Sequence, residues 1–207
     1  MVCGVASPSP TRTRAAALPP AQRRAEIVAV TLPLLLEHGA SVTTRQIAEA
    51  AGIAEGTIFG VFRDKEALID AVVEVALDPS PTEAELRAID AGRPLEDRLI
   101  DAVEILRRRA TSVFELMSAI AMTSPPGRRA ELSTRRKLPE LGVLATLFEP
   151  DRAALRRPPM EAAHLLRGLT VVGTHASLIL DEPMSSAEIV SLLLDGVRAR
   201  PTQDPTC

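Results

Sequence analysis

Apolar residues recur along this chain of 207 residues at intervals of three to four positions, which is the period of an α-helix with one buried face. The strict alternation typical of half-buried β-strands is scarce. The pattern therefore favours an all-α fold. It predicts helices over residues 21–38, 65–77, 82–91, 95–123, 138–149, 160–181 and 186–199, with two further short helices between residues 43 and 62.

The first predicted helix contains a proline. Its apolar positions include Ile27, Val30 and Leu34, and Gly39 ends it. Pro33 removes one backbone hydrogen bond and crowds the preceding turn, at a cost of about 3 kcal/mol. We therefore expect a kink near residues 29–33, tolerated because the helix is well packed.

The stretch from residue 43 to residue 68 contains two short helices around a tight turn. Thr43 and Gln46 have the spacing of a capping box, which begins a helix, and Gly52 ends that helix. A second helix is predicted over residues 55–62, and Asp64 can cap the next one. Two helices joined in this way predict a helix-turn-helix, whose second helix enters the major groove of DNA.

The second of these helices has two distinct faces. At about 100° per residue, Ile58, Val61 and Phe62 fall on one side and are expected to be buried. Glycines on the opposite side would let the backbone lie close to a docked surface. The residues predicted to point outward are Gly56, Phe59 and Gly60, with Thr57 at the flank.

A known family combines these features. The motif positions are Ile47-Ala48, Ala51-Gly52-Ile53, Gly56-Thr57-Ile58-Phe59, Phe62, Lys65-Glu66 and Leu68, preceded by Glu37-His38-Gly39 at the end of an apolar helix. In this register, residues 44–68 resemble the helix-turn-helix of the TetR family (TetR/AcrR type) of bacterial transcriptional regulators. The resemblance covers about the first third of the chain. It implies a three-helix DNA-binding domain followed by a helical ligand-binding and dimerisation domain.

The resemblance also implies a set of DNA-binding residues. We expect a homodimeric regulator, most simply a repressor, that places two recognition helices in successive major grooves of a palindromic operator. The expected phosphate contacts are Thr43, Thr44, Arg45 and Lys65, through side chains and helix N-termini. The residues expected at or near the bases are Glu55, Gly56, Thr57, Phe59 and Gly60.

The sequence departs from the family pattern on the recognition helix. The family usually has a tyrosine followed by a histidine or another polar residue, whereas this chain has Phe59 and Gly60. The phenolic hydroxyl that often donates to a phosphate is therefore absent. Phe59 can contact a thymine methyl group but cannot donate a hydrogen bond, so affinity would depend more on Arg45, Lys65 and the N-terminal arginines.

The predicted organisation is a disordered arm at 1–20, a helix-turn-helix domain at 21–77, an effector-binding and dimerisation domain at 78–200, and a tail at 201–207. The arm contains arginines that could reach DNA, although an unstructured leader explains the same composition. Both cysteines, Cys3 and Cys207, lie in these end segments. They therefore suggest neither a metal site nor a structural disulfide.

The last two predicted helices are candidates for a dimer interface. The helices near 160–181 and 186–199 carry small residues and an apolar stripe, and Ser185 with Glu188 forms a capping box for the second of them. Two such pairs would make a four-helix bundle about a two-fold axis. Packing within one chain is the alternative.

An effector site is implied by the resemblance and by a few bulky or polarisable residues. The candidate ligand-binding residues are Phe114, Met117, Met122, Phe148 and His175. An aliphatic lining favours a small hydrophobic effector. His175 could instead be a satisfied core or interface histidine.

The charge is divided unevenly along the chain. Residues 1–65 carry seven Lys/Arg and five Asp/Glu, a net charge of +2, whereas the remainder carries a net charge of −5, which gives −3 for the chain. The basic excess thus lies at the end predicted to meet phosphates. Two stretches of arginine and lysine lie outside it, at 107–109 and 135–137. We interpret the first as solvated surface or as partners for acidic residues, and the second as exposed helix surface, rather than as phosphate contacts.

Other function classes have little support. No signal peptide or apolar run of about 20 residues is present, which predicts a cytoplasmic protein without a membrane span. We find no nucleophile elbow, phosphate-binding glycine loop or zinc motif, so an enzyme, a cofactor and a metal are not expected. The alternative hypothesis is a small-molecule-binding helical dimer whose DNA binding is weak or lost through Phe59 and Gly60.

Overall fold

The computed structural model describes residues 19–125, 131, 141–174 and 182–197. Its regular elements are helices, as the periodicity predicts. They are α1 (Pro20–His38), a 3₁₀ turn (Gly39–Ser41), α2 (Thr44–Ala51), α3 (Glu55–Phe59), α4 (Lys65–Leu77), α5 (Ser80–Arg87), α6 (Leu95–Thr123), α7 (Leu141–Thr146), a 3₁₀ turn (Glu149–Ala154), α8 (Pro159–Thr174) and α9 (Ser186–Val197).

Helix α1 runs through its internal proline. Ile27, Thr31 and Leu35 lie one turn apart and are buried, and the Thr31 hydroxyl donates to the Ile27 carbonyl at 2.6 Å. Pro33 lies on the exposed side and does not end the helix. Because its ring faces solvent, the missing N–H leaves no buried gap in the core. The bend near residues 29–33 stays a prediction.

Helices α3, α5 and α7 have limits that the pattern did not predict; α7 ends at Thr146 rather than at residue 149. Helix α3 ends at Phe59 rather than at residue 62, because Val61 donates to Ile58 over three residues and tightens the last turn. Helix α5 spans Ser80–Arg87 instead of 82–91. Its proline at 81 lies in the first turn, where a missing N–H costs no helical hydrogen bond.

The buried apolar side chains form two clusters. The first cluster joins α1–α4 to the C-terminal half of α6, and includes Ile27, Leu35, Ile47, Ile58, Phe62, Leu68, Val72, Val113, Leu116 and Ile120. The second joins α5, the N-terminal half of α6, α7, α8 and α9, and includes Leu86, Leu99, Val103, Leu144, Phe148, Leu166, Ile189 and Leu193. Helix α6 therefore contributes to both clusters.

The arginine run at the middle of α6 is occupied by contacts within the chain. Arg108 pairs with Glu85, and Arg107 lies 3.7 Å from Glu104. Arg109 donates to the carbonyls of Leu77 at 2.7 Å and of Asp78 at 2.8 Å, where α4 ends. Burial lowers the pKa of Arg109, and Asp78 and Glu83 oppose that shift. Arg107 and Arg108 thus lie beside acidic side chains, as one of the two interpretations predicted, whereas Arg109 joins α6 to α4 through backbone carbonyls.

The end of α6 touches the corner between α1 and α2. Ala40 donates its backbone N–H to the Thr123 hydroxyl at 2.6 Å. At neighbouring Gly39, φ is +57°, and an added Cβ would lie 2.3 Å from the Ala119 carbonyl oxygen. Only glycine permits both this backbone conformation and this approach. The corner that leads into α2 is therefore held directly against α6.

Candidate nucleic-acid interface

The capping box at the start of α2 is present in the structure. The Gln46 backbone N–H donates to the Thr43 hydroxyl at 3.2 Å, and the Thr43 N–H donates to the Gln46 side chain at 2.8 Å. Gly52 ends α2 in the left-handed conformation, with φ of +63°. Buried Ile47 and Ala48 hold the helix on the first cluster. The cap and the core together orient Thr44 and Arg45 at an exposed helix end.

Helix α3 has the two faces that the pattern predicted. Ile58 is fully buried and Phe62, just beyond the helix, is 3% exposed. Phe62 donates to the Ile58 carbonyl at 2.8 Å, so both anchors stay in helical register although α3 is short. Gly56 and Gly60 are exposed and Phe59 is 52% exposed. Thr57 is half-buried at the flank. The exposed face therefore presents the Phe59 ring, together with backbone that carries no side chain at Gly56 and Gly60.

A side-chain contact fixes α2 relative to α3. The Thr44 hydroxyl donates to the Glu55 carboxylate across the turn. Glu55 is thus directed at α2, and Thr44 has already used its only donor. The hydroxyl oxygen of Thr44 can still accept but cannot donate to a phosphate unless this bond opens. The DNA-binding roles of Thr44 and Glu55 stay predictions.

The start of α4 is capped by an acidic side chain. Asp64 accepts from the Ala67 backbone N–H at 2.8 Å and pairs with Arg63 at 2.7 Å. The hydrogen bond from Ala67, followed by the one from Arg63, lowers the pKa of Asp64. The predicted cap is confirmed. Arg63 is an exposed basic residue that sequence analysis did not single out.

Lys65 has a structural role of its own. Its Nζ donates to the carbonyls of Ala40 at 2.9 Å and Val42 at 3.2 Å, and the side chain is half-buried. These carbonyls lie in the connection between α1 and α2. Lys65 therefore ties α4 to that connection and has one donor left for a phosphate.

Arg45 is a highly accessible member of the predicted phosphate contacts, with its side chain 81% exposed. Its Nε lies 3.1 Å from the Glu49 carboxylate, one turn along α2. An exposed pair of this kind contributes about 0.3–0.5 kcal/mol. The pair is weak enough to exchange for a phosphate at little cost.

A contact between Arg24, near the start of α1, and Phe62 was not predicted. The guanidinium carbon of Arg24 lies 4.5 Å from the centre of the Phe62 ring. This distance is within the range of a cation–π interaction. The contact joins residues far apart in sequence, so no local pattern could have indicated it.

The described effector candidates are divided between two regions of the fold, and their role in ligand binding stays a prediction. Phe148 is fully buried in the second cluster, whereas Met117 is partly buried against the first. Phe114 and Met122 lie on the C-terminal half of α6 and are exposed, Met122 to 83%. His175 lies outside the described residues. Sequence spacing could not show that α6 is divided between two clusters.

An open cleft lies elsewhere, between α5 and α6. Its volume is about 560 Å³ and charged side chains line much of it, among them Glu85, Asp101 and Arg108. The described effector candidates do not line this cleft. Its many charged side chains also differ from the aliphatic lining that the sequence predicted.

Comparison with known proteins identifies the N-terminal part of the chain. Residues 27–72 match the family model of the bacterial regulatory proteins of the tetR family. These residues run from the buried part of α1, through the helix-turn-helix, into α4. They form a TetR-family DNA-binding domain. The resemblance seen in the sequence is thereby confirmed.

Solved structures extend the likeness to the rest of the fold. A protein from Mesorhizobium loti assigned to the TetR family of transcriptional regulators has 20% identity and a TM-score of 0.60, covering 88% of this chain and all of its own. Reduced Escherichia coli NemR has 16% identity and a TM-score of 0.59, covering 87% of this chain and all of its own. Salmonella enterica GusR has 22% identity and a TM-score of 0.57, with 84% and 94% covered. Among curated proteins, none matches the chain by sequence. The chain thus has the TetR-family regulator fold over most of its length.

Neither a membrane span nor a metal site is seen in the described part of the chain. None of its helices is both long and apolar enough to cross a bilayer. Its His, Cys, Asp and Glu side chains form no group of three or more that could hold a metal ion.

Proposed function

We propose that this TetR-family protein is a homodimeric transcriptional repressor that binds a palindromic operator and is released from it by a small hydrophobic effector. The observation that carries the proposal is the exposed face of α3. Buried Ile58 and Phe62 hold this face outward, and Phe59 is its exposed large apolar side chain. A short helix with such a face can approach the floor of a major groove closely.

Base recognition by this face would be largely apolar. Phe59 can pack against thymine methyl groups, and Thr57 can donate or accept at its edge. Gly56 and Gly60 have no side chains to read bases, so they would contribute proximity rather than hydrogen bonds. We therefore expect an operator with a thymine opposite Phe59 in each half-site and modest discrimination at the neighbouring positions.

The phosphate contacts would come from both sides of α3. Thr43, Thr44 and Arg45 lie at the start of α2, and Lys65 at the start of α4. Arg45 would exchange its weak pair with Glu49 for a phosphate. Lys65 would keep its bonds to the Ala40 and Val42 carbonyls and offer its remaining donor.

The dimer would form through α8 and α9. These helices pack together where Gly173 meets Ile189, since a Cβ at Gly173 would lie 3.0 Å from the Ile189 side chain. On their outer side, Leu165, Val172 and Leu192 are exposed. An apolar face of this kind is typical of a protein interface. A second copy would cover it and complete the four-helix bundle.

Effector release would use α6. Because this helix packs in both clusters, a displacement of its N-terminal half by a ligand would reach the α1–α2 corner through Gly39 and Thr123. Such a displacement would change the separation of the two recognition helices. Its test is loss of operator binding on adding apolar compounds of graded size, with a charged analogue of each as the control.

The first experiment is selection of bound sequences from random duplex DNA, followed by binding of the selected duplex over a salt series. We expect a palindrome and an affinity that falls steeply with salt. Arg45→Ala should weaken binding of all sequences. Arg87→Ala is the matched control, since Arg87 forms an equivalent i, i+4 pair with Glu83 on α5, at 3.0 Å.

The opposite result would favour the second candidate function. Phe59 and Gly60 lack the polar groups usual at these positions, and α3 is correspondingly poor in donors. A folded dimer that enriches no duplex would indicate a small-molecule-binding protein that has lost DNA binding. Lys65→Ala is unsuitable as a simple phosphate probe, because it also removes the bonds to Ala40 and Val42.

A further inference from the structure

We propose that Arg24 is a further DNA-backbone contact, held in position by the ring of Phe62. The inference rests on the proposed DNA binding and adds a contact from α1 beside the recognition helix. The contact that supports it involves a residue outside the helix-turn-helix motif. The Arg24 guanidinium carbon lies 4.5 Å from the centre of the Phe62 ring.

The position of Phe62 connects Arg24 to α3. Phe62 is 3% exposed, and its N–H donates to the Ile58 carbonyl at 2.8 Å. Ile58 is the buried anchor of the recognition helix, whereas the next residue, Phe59, is 52% exposed. The ring therefore has a fixed place relative to α3, and so has the cation above it. Arg24 itself is exposed to solvent.

The charge of Arg24 distinguishes it from the neighbouring arginines. Arg23 lies 3.3 Å from Glu26, Arg45 lies 3.1 Å from Glu49, and Arg63 lies 2.7 Å from Asp64. Each of these cations has a carboxylate beside it. Within the described residues, Arg24 is in no such ion pair. An aromatic ring attracts the cation without neutralising it, so the full charge of Arg24 remains available to a phosphate.

Because the Arg24 side chain is already held in place, it should lose less rotamer freedom on binding a phosphate than a free side chain would. An arginine normally loses rotamer freedom when it binds a phosphate, and its planar donors must be aligned. The Phe62 ring already restricts where the Arg24 guanidinium lies. Arg24 would then bind the backbone flanking the bases that Phe59 contacts, independently of sequence. The alternative is that Arg24 only covers the ring and stabilises the fold.

Salt dependence separates these two roles. Binding of the selected operator is measured by fluorescence anisotropy from about 50 to about 200 mM salt for the wild type, Arg24→Gln, Arg24→Lys and Arg23→Gln. Loss of one phosphate contact lowers the magnitude of the negative slope of log K against log salt by about 0.9. We expect this decrease per chain for Arg24→Gln. Arg24→Lys should keep the wild-type slope, and Arg23→Gln should change it less, because Arg23 is already paired with Glu26.

The outcomes are distinguishable. A wild-type slope for Arg24→Gln, even with lower thermal stability, would overturn the inference and leave the proposed DNA binding intact. An Arg23→Gln decrease equal to that of Arg24→Gln would also overturn it, since the effect would then be one of general charge. If the wild type binds no duplex, the proposed function fails and the inference fails with it. Near-identical far-UV circular dichroism spectra would show that the variants are folded.

Discussion

The α2–α3 surface and the outer face of α8 and α9 are the two regions that the proposed function requires, and they are built differently. The first is defined by bonds within the helix-turn-helix, such as those between Thr43 and Gln46 and between Thr44 and Glu55. The second is a set of exposed apolar side chains, Leu165, Val172 and Leu192, on two regular helices. The first surface is complete within one chain, whereas the second would be buried only when a partner chain covers it. Mutations in the α2–α3 surface should therefore have local effects, whereas mutations in the outer face of α8 and α9 should affect assembly of the dimer.

The largest expected effect comes from breaking the α8–α9 face. Leu165→Glu combined with Leu192→Glu places charges where a second copy would bury them. We expect a folded monomer by light scattering and a loss of about 10²–10⁴-fold in operator affinity, because two half-sites are no longer bound together.

Leu36→Glu is the control for this pair, since Leu36 is as exposed as Leu165 but lies on α1. It should leave the dimer intact. A dimer that persists in the double variant would refute the proposed interface.

The next largest effect is expected where the first region meets α6. Gly39→Ala introduces a Cβ 2.3 Å from the Ala119 carbonyl oxygen, at φ of +57°. Strain and the clash together should lower the free energy of unfolding by about 3 kcal/mol or more, measured by urea denaturation.

Gly52→Ala is the matched variant for Gly39→Ala. Its φ is +63°, but nothing lies within 4 Å of the added Cβ. It should cost only about 1–2 kcal/mol, from the left-handed backbone alone. Equal losses of unfolding free energy in the two variants would show that the close contact between Gly39 and α6 adds nothing to the cost of Gly39→Ala.

A smaller effect is expected for the cap of α2. Thr43→Ala removes the hydroxyl that accepts from the Gln46 backbone. The free energy of unfolding should fall by about 1 kcal/mol, whereas light scattering should still give a dimer. Loss of the dimer in this variant would mean that the two regions are not independent.

The smallest effect is a pH dependence at the cap of α4. Folding lowers the pKa of Asp64 below its ordinary 3.8, so the stabilisation is complete above that pH and is lost as pH falls through the lower, folded value. Asp64→Asn should therefore differ from the wild type in melting temperature near neutral pH and approach it in acid. A difference that is constant across this range would exclude the linkage.

Much of the fold could be predicted because its signals are local. The limits of α4 and α6 coincide with the predicted ones. Those predictions used apolar periodicity, the cap at Asp64, and the prolines that follow α4 and precede α6. The outward face of α3 followed from the spacing of Ile58 and Phe62. The end of α3 could not be predicted in this way. It depends on the hydrogen bond from the Val61 N–H to the Ile58 carbonyl, which tightens the last turn and which composition does not indicate.

The helix-turn-helix, its capping residues and the family of the N-terminal domain could be predicted from the sequence, since these depend on residues within one or two turns of each other. The tertiary structure alone decided that Lys65 bonds to Ala40 and Val42, that Arg24 lies over Phe62, and that Phe148 fills a core. Each of these requires helices distant along the chain to pack at a particular angle. Periodicity shows which face of a helix is buried, but the partner of that face depends on the packing of the whole core.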